Sequence, residues 1–433
     1  MMPFASIAYL YEIFKQHPQV QTDTRKLQQG DIYWALKGPN FNGNSFAISA
    51  LTAGASYAVI DEPIEAEGHW KDRLILVEDG LLTLQALAKH HRQQFTIPFI
   101  GITGSNGKTT TKELVAAVLS SHFKTYTTQG NLNNHIGVPL TLLSIQPDAE
   151  IAVIEMGANH LHEIESYCTY AMPNYGMITN CGKAHLEGFG SEDGVKKGKG
   201  ELFDYLKSHK GVAFIMSDFD YLVDMSSGIS EVVQYGQHTG VLQATPSSNN
   251  GLLQVNFTNG TSIDSIQTQL VGEYNLPNVL AAVSIGLYFK IPAEKIKAAI
   301  EQYTPTNSRS QLLKWKGNDI ILDAYNANPS SMKLAIENFS KLASPHKIVC
   351  IGAMKELGDT SLQEHQLLIE LLQSHQWEQV LLVGGDFAHC KHSYLYFNNS
   401  VEAKKWLQAQ AYANKSLLIK GSRGVQMEKL IEA

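Results

Sequence analysis

The stretch Ile100-Gly101-Ile102-Thr103-Gly104-Ser105-Asn106-Gly107-Lys108-Thr109-Thr110-Thr111 decides the fold of this chain. An apolar run, residues 97–102, leads into it, and a helical pattern, residues 112–119, follows it. Glycines between a strand and a helix allow backbone N–H groups to turn inward and bind phosphate oxygens at the helix N-terminus. Lys108 can then reach the terminal phosphates, and the hydroxyl of Thr109 can ligate Mg²⁺. The stretch therefore predicts a binding site for a nucleoside triphosphate.

The spacing of this phosphate loop is the short form, G-x-x-G-K-T. Ile102 stands where the first glycine of the longer pattern G-x-x-x-x-G-K-[ST] would be. A glycine-rich turn that only caps a helix is the alternative explanation. The strand-loop-helix context of Gly107-Lys108-Thr109-Thr110 favours the phosphate site.

The composition is that of a folded protein with no excess of positive charge. Of the 433 residues, 44% are hydrophobic and 17% are charged, which is typical of a globular chain. The 34 Lys and Arg residues are outnumbered by 41 Asp and Glu residues, and the formal net charge is -7. This balance offers no attraction to nucleic acid or anionic lipid. We therefore expect neither as a partner.

The four cysteines are widely spaced and form no C-x-x-C pair. Reduced thiols are expected rather than a disulfide or zinc framework. No apolar run reaches the roughly 18 residues that a membrane helix needs, and residues 1–10 lack the basic region and apolar core of a signal peptide. We expect a soluble cytoplasmic protein without membrane insertion.

The alternation of strand and helix patterns predicts an α/β protein with three domains. Residues 1–95 mix short strands and turns, which suggests a small mixed α/β domain. Residues 96–303 alternate strands and helices, which is typical of a P-loop-type parallel-sheet domain. Residues 304–433 begin with a proline-containing hinge at 304–308, repeat the alternation and predict a Rossmann-like α/β domain. Several domains suggest a site in the clefts between them.

Two further segments of the central region follow predicted strands. Glu155 ends the apolar strand 151–156, at the edge of an open α/β sheet where ligands bind. It is a candidate Mg²⁺ ligand or an ordinary strand-end acid. His185 follows the strand 176–179, but a single histidine is more often a hydrogen-bonded structural residue. The lysines of the segment 195–203 indicate, by composition alone, a solvated basic face.

Four segments resemble, in this order, the motifs of the Mur ligases: Gly104-Ser105-Asn106-Gly107-Lys108-Thr109, Glu155-Met156-Gly157, Ala184-His185-Leu186-Glu187 and Lys199-Gly200-Glu201-Leu202-Phe203. This family forms amide bonds with ATP and builds the peptide of the bacterial cell-wall precursor. Five more segments are similar to the branch of the family that takes a dipeptide as acceptor: Asp23-Thr24-Arg25, Ala35-Leu36-Lys37-Gly38, Leu322-Asp323-Ala324-Tyr325-Asn326-Ala327-Asn328-Pro329, Gly352-Ala353-Met354-Lys355-Glu356-Leu357-Gly358 and Lys420-Gly421-Ser422-Arg423. Together these segments span nearly the whole chain.

The resemblance implies a reaction and its substrates. D-alanyl-D-alanine would be joined to UDP-N-acetylmuramoyl-tripeptide through an acyl-phosphate, with release of ADP and phosphate. ATP and Mg²⁺ would be required, and the partners would be these small molecules, bound by a monomer. Residues 1–95 would bind the UDP-sugar substrate and residues 96–303 would bind ATP. Residues 304–433 would close on ATP and bind the dipeptide.

The resemblance also implies roles for individual residues. ATP contacts are expected from Gly104, Ser105, Asn106, Gly107, Lys108, Thr109, Thr110, Asn278, Arg309 and Asp323. Metal ligation is expected from Thr109, Glu155, His185 and Lys199, with Lys199 carbamylated so that it offers carboxylate-like oxygens. Catalytic roles would belong to Lys108, His185 and Lys199. Substrate contacts are expected from Thr24, Arg25, Lys37, Asn42, Asn131, Asn133, Asn134, Tyr325, Asn326 and Asn328. Asn44 and Ser308 stand where the family usually has histidine and glycine.

Two alternatives remain open. A sibling ligase would add a different residue, and the folate-polyglutamate branch shares the short phosphate-loop pattern. The segments 323–329 and 354–358 argue against that branch. A P-loop ATPase that drives motion or assembly belongs to a different class, and it would hydrolyse ATP without an amine acceptor.

Overall fold

The computed structural model describes residues 4–65, 68–249, 251–306 and 308–432. The chain forms two compact units. The first contains Met1–Gly101, Phe123–Gly157 and Glu163–Tyr175, and the second contains Ile102–His122, Ala158–His162 and Gly176–Ala433.

The regular elements follow one another along the chain as the alternation predicts. The strands are β1 Val20–Gln21, β2 Ile32–Trp34, β3 Lys37–Gly38, β4 Phe41–Asn42, β5 Tyr57–Ile60, β6 Leu74–Leu76, β7 Phe99–Thr103, β8 Thr125–Thr127, β9 Ile151–Glu155, β10 Tyr175–Ile178, β11 Val212–Met216, β12 Glu231–Gly236, β13 Leu242–Asn249, β14 Leu252–Asn259, β15 Ser265–Val271, β16 Gln311–Trp315, β17 Asn318–Asp323, β18 Lys347–Gly352, β19 Gln379–Val383, β20 Leu395–Phe397 and β21 Ser416–Lys420.

The α-helices are α1 Ile7–Gln16, α2 Ala47–Thr52, α3 Gly80–Arg92, α4 Lys108–Ser120, α5 Gly137–Leu143, α6 Glu163–Ala171, α7 Leu186–Phe189, α8 Glu192–Ser208, α9 Asp220–Met225, α10 Leu276–Tyr288, α11 Ala293–Gln302, α12 Pro329–Ser340, α13 Ser361–Gln373 and α14 Ser400–Ala409. Short 3₁₀ helices occupy Thr24–Lys26, Gly43–Phe46, Gly68–Arg73, Glu273–Asn275, Gly358–Thr360, Gly385–His389, Arg423–Val425 and Met427–Leu430.

In the first unit, a four-stranded parallel sheet has the order β1-β2-β5-β6. Side chains of β2 and β5 pack against α2 in one apolar cluster that includes Tyr33, Leu51 and Ile60. Helix α3 begins after Asp79, whose side chain accepts a hydrogen bond from the N–H of Leu82. This N-cap satisfies one of the unpaired donors of the first helical turn.

The strand that enters the phosphate loop, β7, is buried along its whole length. A short apolar run of this kind is typical of a strand covered on both faces. Helix α4 begins at Lys108, directly after Gly107. The predicted order of strand, glycine loop and helix is therefore confirmed.

The hairpins expected between residues 232 and 265 are also present in the second unit. β11, β12 and β13 pair in parallel, and β13, β14 and β15 then pair antiparallel. The next helix, α10, begins at Leu276 with Pro277 in its first turn, where the missing N–H of proline costs no helical hydrogen bond.

A six-stranded sheet with the order β16-β17-β21-β18-β19-β20 forms the third region of the chain. β16 and β17 are antiparallel, and the other neighbours are parallel. Side chains of β18 alternate between two apolar clusters, Val349 and Ile351 in one with α12 and α13, Ile348 and Cys350 in the other with α14. Since helices cover both faces, this is the Rossmann-like arrangement that the sequence predicts. Among the described residues, no helix is long and apolar enough to cross a membrane.

Candidate active site

Two backbone positions in the phosphate loop require glycine. Gly104 has φ 141° and Gly107 has φ 78°, in the region that other L-residues rarely adopt. A Cβ atom at Gly104 would overlap with the hydroxyl of Thr179, and one at Gly107 would lie 2.7 Å from Oδ1 of Asn278. The loop is therefore in direct contact with the end of β10 and with α10.

The residues that follow β10 hold the loop by its main chain. The hydroxyl of Thr179 donates to the carbonyl oxygen of Asn106 at 2.6 Å. The Asn180 side chain both donates to that carbonyl and accepts from the N–H of Asn106, each at 3.1 Å. These bonds fix the peptide groups that are expected to face phosphate.

Lys108 is folded back over the loop that it follows. Its Nζ donates to the carbonyl oxygen of Gly104 at 2.6 Å and to that of Ser105 at 3.2 Å. The hydroxyl-bearing residue next to it, Thr109, is buried. The structure thus brings the predicted lysine, hydroxyl and glycine backbone together at the N-terminus of α4, as a phosphate site requires.

Asn278 packs against the same helix, but as part of a hydrogen-bond chain. Its Oδ1 accepts from the hydroxyl of Thr111 at 3.0 Å, and its Nδ2 donates to Oδ1 of Asn275 at 2.8 Å. The side chain is buried. Its proximity to the phosphate loop agrees with the nucleotide role, whereas the contact with adenine stays a prediction.

Asp323 lies at the carboxyl end of β17 and forms an ion pair with Lys420. Nζ of Lys420, whose residue is 2% exposed, is 2.5 Å from Oδ2 of Asp323. The two residues are register partners on adjacent parallel strands, and the N–H of Ser310 donates to Oδ1 at 3.2 Å. Lys420 therefore holds the carboxylate that is expected to bind ribose. Lys420 lies in one of the segments that resemble the family, but its position in the sequence indicates no role for it.

Arg309 and Tyr325, which the sequence assigned to different ligands, lie against each other. The Arg309 guanidinium carbon is 3.6 Å from the centre of the Tyr325 ring, and that of Arg423 is 5.6 Å away. Stacking of a guanidinium on an aromatic face is favourable. Ser308, at the family's usual glycine position, has φ 55°, which explains why glycine suits that position.

Asn328 connects the third region with the phosphate loop. Its Nδ2 donates to Oδ1 of Asn106 at 2.7 Å, while its Oδ1 caps α12 by accepting from the N–H of Ser331 at 2.9 Å. The adjacent Asn326 accepts from the N–H of Ala327 at 2.9 Å. The capping box thus fixes Asn328 in the orientation that contacts the nucleotide loop.

His185 faces a carboxylate that the sequence analysis did not select. Its Nδ1 is 2.6 Å from Oε2 of Glu356. The close contact with His185 lowers the pKa of Glu356, and the charges of His185 and of Lys108 act in the same direction. A pKa below its usual range favours the ionised carboxylate. The sequence feature that could have identified Glu356 is its position shortly after β18, at a strand end where ligands bind.

Lys199 is buried, and the interpretation of its segment as a solvated basic face is wrong for this residue. It is 0% exposed, because its place on α8 turns it towards the protein interior. Its Nζ donates to the carbonyl oxygen of Ala158 at 2.7 Å and lies 4.8 Å from the centre of the Phe189 ring. Carbamylation of Lys199 stays a prediction from the resemblance.

In the first unit, Glu155 is also buried, at 1% exposure. Its Oε1 accepts from Nδ2 of Asn133 at 2.7 Å, so these two predicted residues are brought together. Asn134 instead accepts from the N–H of Gly137 at 2.8 Å and stabilises the start of α5. Asn131 is exposed beside them.

Arg25 in the first unit is folded onto its own turn. Its guanidinium makes two bonds to Asp23, at 2.9 Å and 2.8 Å. The hydrogen bonds from Arg25 lower the pKa of Asp23 to about 2. Thr24, between them, lies in the short helix that Asp23 caps. Their contact with a substrate stays a prediction.

Lys37 and Asn42 belong to a polar network around Asn44. Nζ of Lys37 is 3.0 Å from a carboxylate oxygen of Asp61 and 3.0 Å from one of Glu62. Asn44, 2% exposed, donates to Asp61 at 2.7 Å and to Asn42 at 2.9 Å, and it accepts from the Asp61 N–H at 3.0 Å. Asn44 therefore holds Asn42 and Asp61 together by hydrogen bonds from a buried position. This is the structural role of asparagine at a position where the family usually has histidine.

Mg²⁺ prefers carboxylate, hydroxyl, water and phosphate oxygens. The buried Glu155 carboxylate of the first unit and the buried Thr109 hydroxyl of the second unit each offer an oxygen of this kind, and their joint ligation of one ion stays a prediction from the resemblance. Within the described ranges, no group of three or more His, Cys, Asp and Glu residues is arranged to hold a metal ion. A magnesium ion that arrives with nucleotide phosphates needs only one or two protein oxygens.

Two family models match the chain. The "Mur ligase middle domain" matches residues 102–286, and the "Mur ligase, glutamate ligase domain" matches residues 308–423. Proteins named UDP-N-acetylmuramoyl-tripeptide–D-alanyl-D-alanine ligase are similar over almost their whole length. The ligase from Bacillus subtilis is 35% identical, and the match covers 95% of this chain and 92% of that protein. The ligase from Escherichia coli is 32% identical, and the match covers 96% of this chain and 93% of that protein.

Solved structures agree with these relatives. MurF from Acinetobacter baumannii matches with a TM-score of 0.85 at 31% identity, covering 95% of this chain and 92% of that one. MurF ligase from Thermotoga maritima, solved in complex with ADP, matches with a TM-score of 0.85 at 26% identity, covering 96% of both chains.

The chain has the three-domain α/β architecture of ATP-dependent ligases that form carbon–nitrogen bonds. It belongs to the Mur ligase family. The predicted fold class and the resemblance are thereby confirmed, whereas the domain boundaries and the individual site roles stay predictions.

Replacement of Lys108 by alanine should reduce the rate of ligation by about 100-fold or more, since it removes a charge expected to stabilise the transferring phosphoryl group. A coupled assay of ADP release measures the rate. Lys124→Ala, at an exposed position outside the loop, should retain the rate of the parent protein. Ligation by Lys108→Ala at the parent rate would contradict the assignment.

Replacement of Asn44 by alanine should lower the free energy of unfolding by about 1–3 kcal/mol, because buried polar partners would lose their hydrogen bonds. Urea denaturation measures this change. Asn40→Ala in the exposed part of the same loop is the matched control and should change stability little. Equal stability of the two variants would show that Asn44 does not organise the loop.

Proposed function

We propose that this protein joins D-alanyl-D-alanine to UDP-N-acetylmuramoyl-tripeptide in an ATP-dependent reaction of peptidoglycan precursor synthesis. The similarity of 95% of the chain to relatives that carry this activity in their names is the observation that carries the proposal. The local geometry supports it, because the phosphate loop, the Asp323–Lys420 pair and the Asn328–Asn106 contact occur in one unit.

The reaction requires activation of a carboxylate. The carboxylate of the tripeptide attacks the γ-phosphorus of ATP, a carbon–oxygen–phosphorus linkage forms, and ADP leaves. The amine of D-alanyl-D-alanine then attacks the carbonyl carbon of the acyl-phosphate. The carbon–oxygen bond to phosphate breaks, an amide bond forms, and the proton lost by the amine leaves with phosphate or solvent. Alignment of three reactants supplies much of the rate enhancement.

The residues of this chain bind and orient the nucleotide. Backbone N–H groups at the N-terminus of α4 and the ammonium of Lys108 stabilise charge on the transferring phosphoryl group. Asp323, oriented by Lys420, accepts from the ribose hydroxyls, and Arg309 contacts the phosphates. Asn328 brings the third region against the loop and excludes water from the reacting groups.

Mg²⁺, when bound, neutralises phosphate charge and orients the oxygens for in-line transfer. Thr109 and Glu155 are the residues that would hold it, with His185 and Lys199 as further candidates. Residues 1–95 would bind the nucleotide-sugar, with Thr24, Arg25, Lys37 and Asn42 as candidate contacts, and Asn131, Asn133, Asn134, Tyr325 and Asn326 as further candidates. Since ATP and UDP-linked sugars are cytoplasmic metabolites, we expect a cytoplasmic enzyme, and we expect it to act as a monomer.

Phosphate release should require all three substrates together. We expect phosphate release to fall to background when either UDP-N-acetylmuramoyl-tripeptide or D-alanyl-D-alanine is omitted, because the acyl-phosphate cannot form without the tripeptide and releases phosphate only when an amine attacks it. Mass spectrometry of the complete reaction should show the UDP-linked pentapeptide. Glycyl-glycine in place of D-alanyl-D-alanine controls for nonspecific dipeptide effects. Equal phosphate release without any acceptor would instead support a P-loop ATPase.

A further inference from the structure

Glu356 and His185 face each other from two strained backbone positions. His185 has φ 53° and Glu356 has φ 63°, in the left-handed region that costs energy for residues other than glycine. Such conformations persist only where the surrounding structure holds them, and they concentrate at functional sites. Because two such residues contact each other at 2.6 Å, the surrounding structure must hold both backbones in this conformation.

Main-chain contacts hold the segment that carries Glu356 against the segment that carries His185. The N–H of Glu187 is 3.4 Å from the carbonyl oxygen of Glu356. Gly358, with φ 53°, lies close to the backbone of Glu187, since a Cβ atom there would be 3.5 Å from its Cα. Leu357 between them is buried. The buried leucine and the close backbone approach fix the direction of the Glu356 side chain.

The carboxylate of Glu356 is half exposed, with 48% of its side-chain surface accessible. Oε2 interacts with His185. The segment that carries His185 is joined to the phosphate loop three residues earlier, where the carbonyl oxygen of Gly182 accepts from the hydroxyl of Ser105 at 3.0 Å. The carboxylate is thus directed and accessible close to the loop that is expected to bind the transferring phosphoryl group. The acceptor amine must approach the same place, because it attacks the carbonyl that receives this phosphoryl group.

We propose that Glu356 is the residue that binds the ammonium group of the incoming dipeptide and positions its nitrogen, which attacks as the free amine once the ammonium has lost a proton to solvent. This inference rests on the proposed function and names the subsite of its second substrate. An ammonium group has three donors and binds a carboxylate through charge-assisted hydrogen bonds. Oε1 of Glu356 receives the ammonium while His185 orients the carboxylate through Oε2. The strained backbone of Glu356 serves to direct the side chain into the site.

The test separates formation of the acyl-phosphate from its capture by the amine. Hydroxylamine, a small nucleophile that is mostly uncharged at neutral pH, captures an acyl-phosphate as a hydroxamate without needing an ammonium-binding carboxylate. Glu356→Gln should form hydroxamate from ATP and UDP-N-acetylmuramoyl-tripeptide at a rate within about twofold of the parent protein. With D-alanyl-D-alanine as the acceptor, its KM should rise about tenfold or more, as expected when a charged hydrogen-bond partner is lost.

Asp359→Asn is the matched control, because Asp359 is an exposed carboxylate three residues further along the same segment. It should leave both reactions unchanged. Glu356→Asp, which keeps the charge, should recover part of the affinity for the dipeptide. The thermal unfolding midpoint of each variant, measured with the parent protein, shows whether a change in rate reflects loss of fold.

Three outcomes would overturn the assignment. Equal loss of hydroxamate and of peptide formation in Glu356→Gln would place the carboxylate in the nucleotide or metal step. Parent-like values in both reactions would show that it binds neither substrate. Absence of hydroxamate with the parent protein itself would refute the proposed function, and this subsite with it.

Discussion

The phosphate loop makes contacts so close that two of its positions admit only glycine. Gly104 lies against Thr179, and Gly107 lies against Asn278. Because these approaches leave no room for a Cβ atom, the peptide groups of the loop have one arrangement, and Thr179 fixes it further through the carbonyl of Asn106. The side chain of Asn106 then points to Asn328 of the third region. The lack of space for a Cβ atom at Gly104 and Gly107 thus determines the backbone conformation of the loop that is expected to bind phosphate.

A set of polar contacts joins the central and third regions within the second unit. It includes Asn106 with Asn328 at 2.7 Å, Lys183 with Glu364 at 2.8 Å and His185 with Glu356 at 2.6 Å. Hydrogen bonds and partly exposed ion pairs exchange with water at small net cost. Val271 of β15 adds an apolar contact, since it is buried in the same cluster as Ile321 and Phe339 of the third region. Movement of such a region admits substrates and releases products in many enzymes.

Several charged groups that are buried in either unit have a polar partner. Lys420 has Asp323, Lys199 has the carbonyl of Ala158, and Glu155 has the amide of Asn133. Burial of an ionised group without such a partner is strongly unfavourable. Apolar residues would fill the same space at lower cost, so ligand binding is a physical reason for a chain to keep such groups.

The sequence by itself determined the strand-loop-helix unit at residues 99–120, the alternation of the central and third regions and the family. These depend on local periodicity, on glycine and on residue order, all of which are visible along the chain. It also selected Asn106, Asn328, Asp323 and Lys108 for the site, and the structure places them in one unit.

Tertiary structure alone decided the partners of these residues. Lys199 lies in a lysine-rich segment that indicates solvent, yet it is buried because of the face of α8 on which it stands. Asn44 reads as a loop residue, yet it hydrogen-bonds to Asp61, which lies 17 positions along the chain. Glu356 meets His185, and Lys420 meets Asp323 across 97 positions. Local pattern carries no information on such pairs, because their distances are set by how parallel strand ends and loops from remote segments assemble.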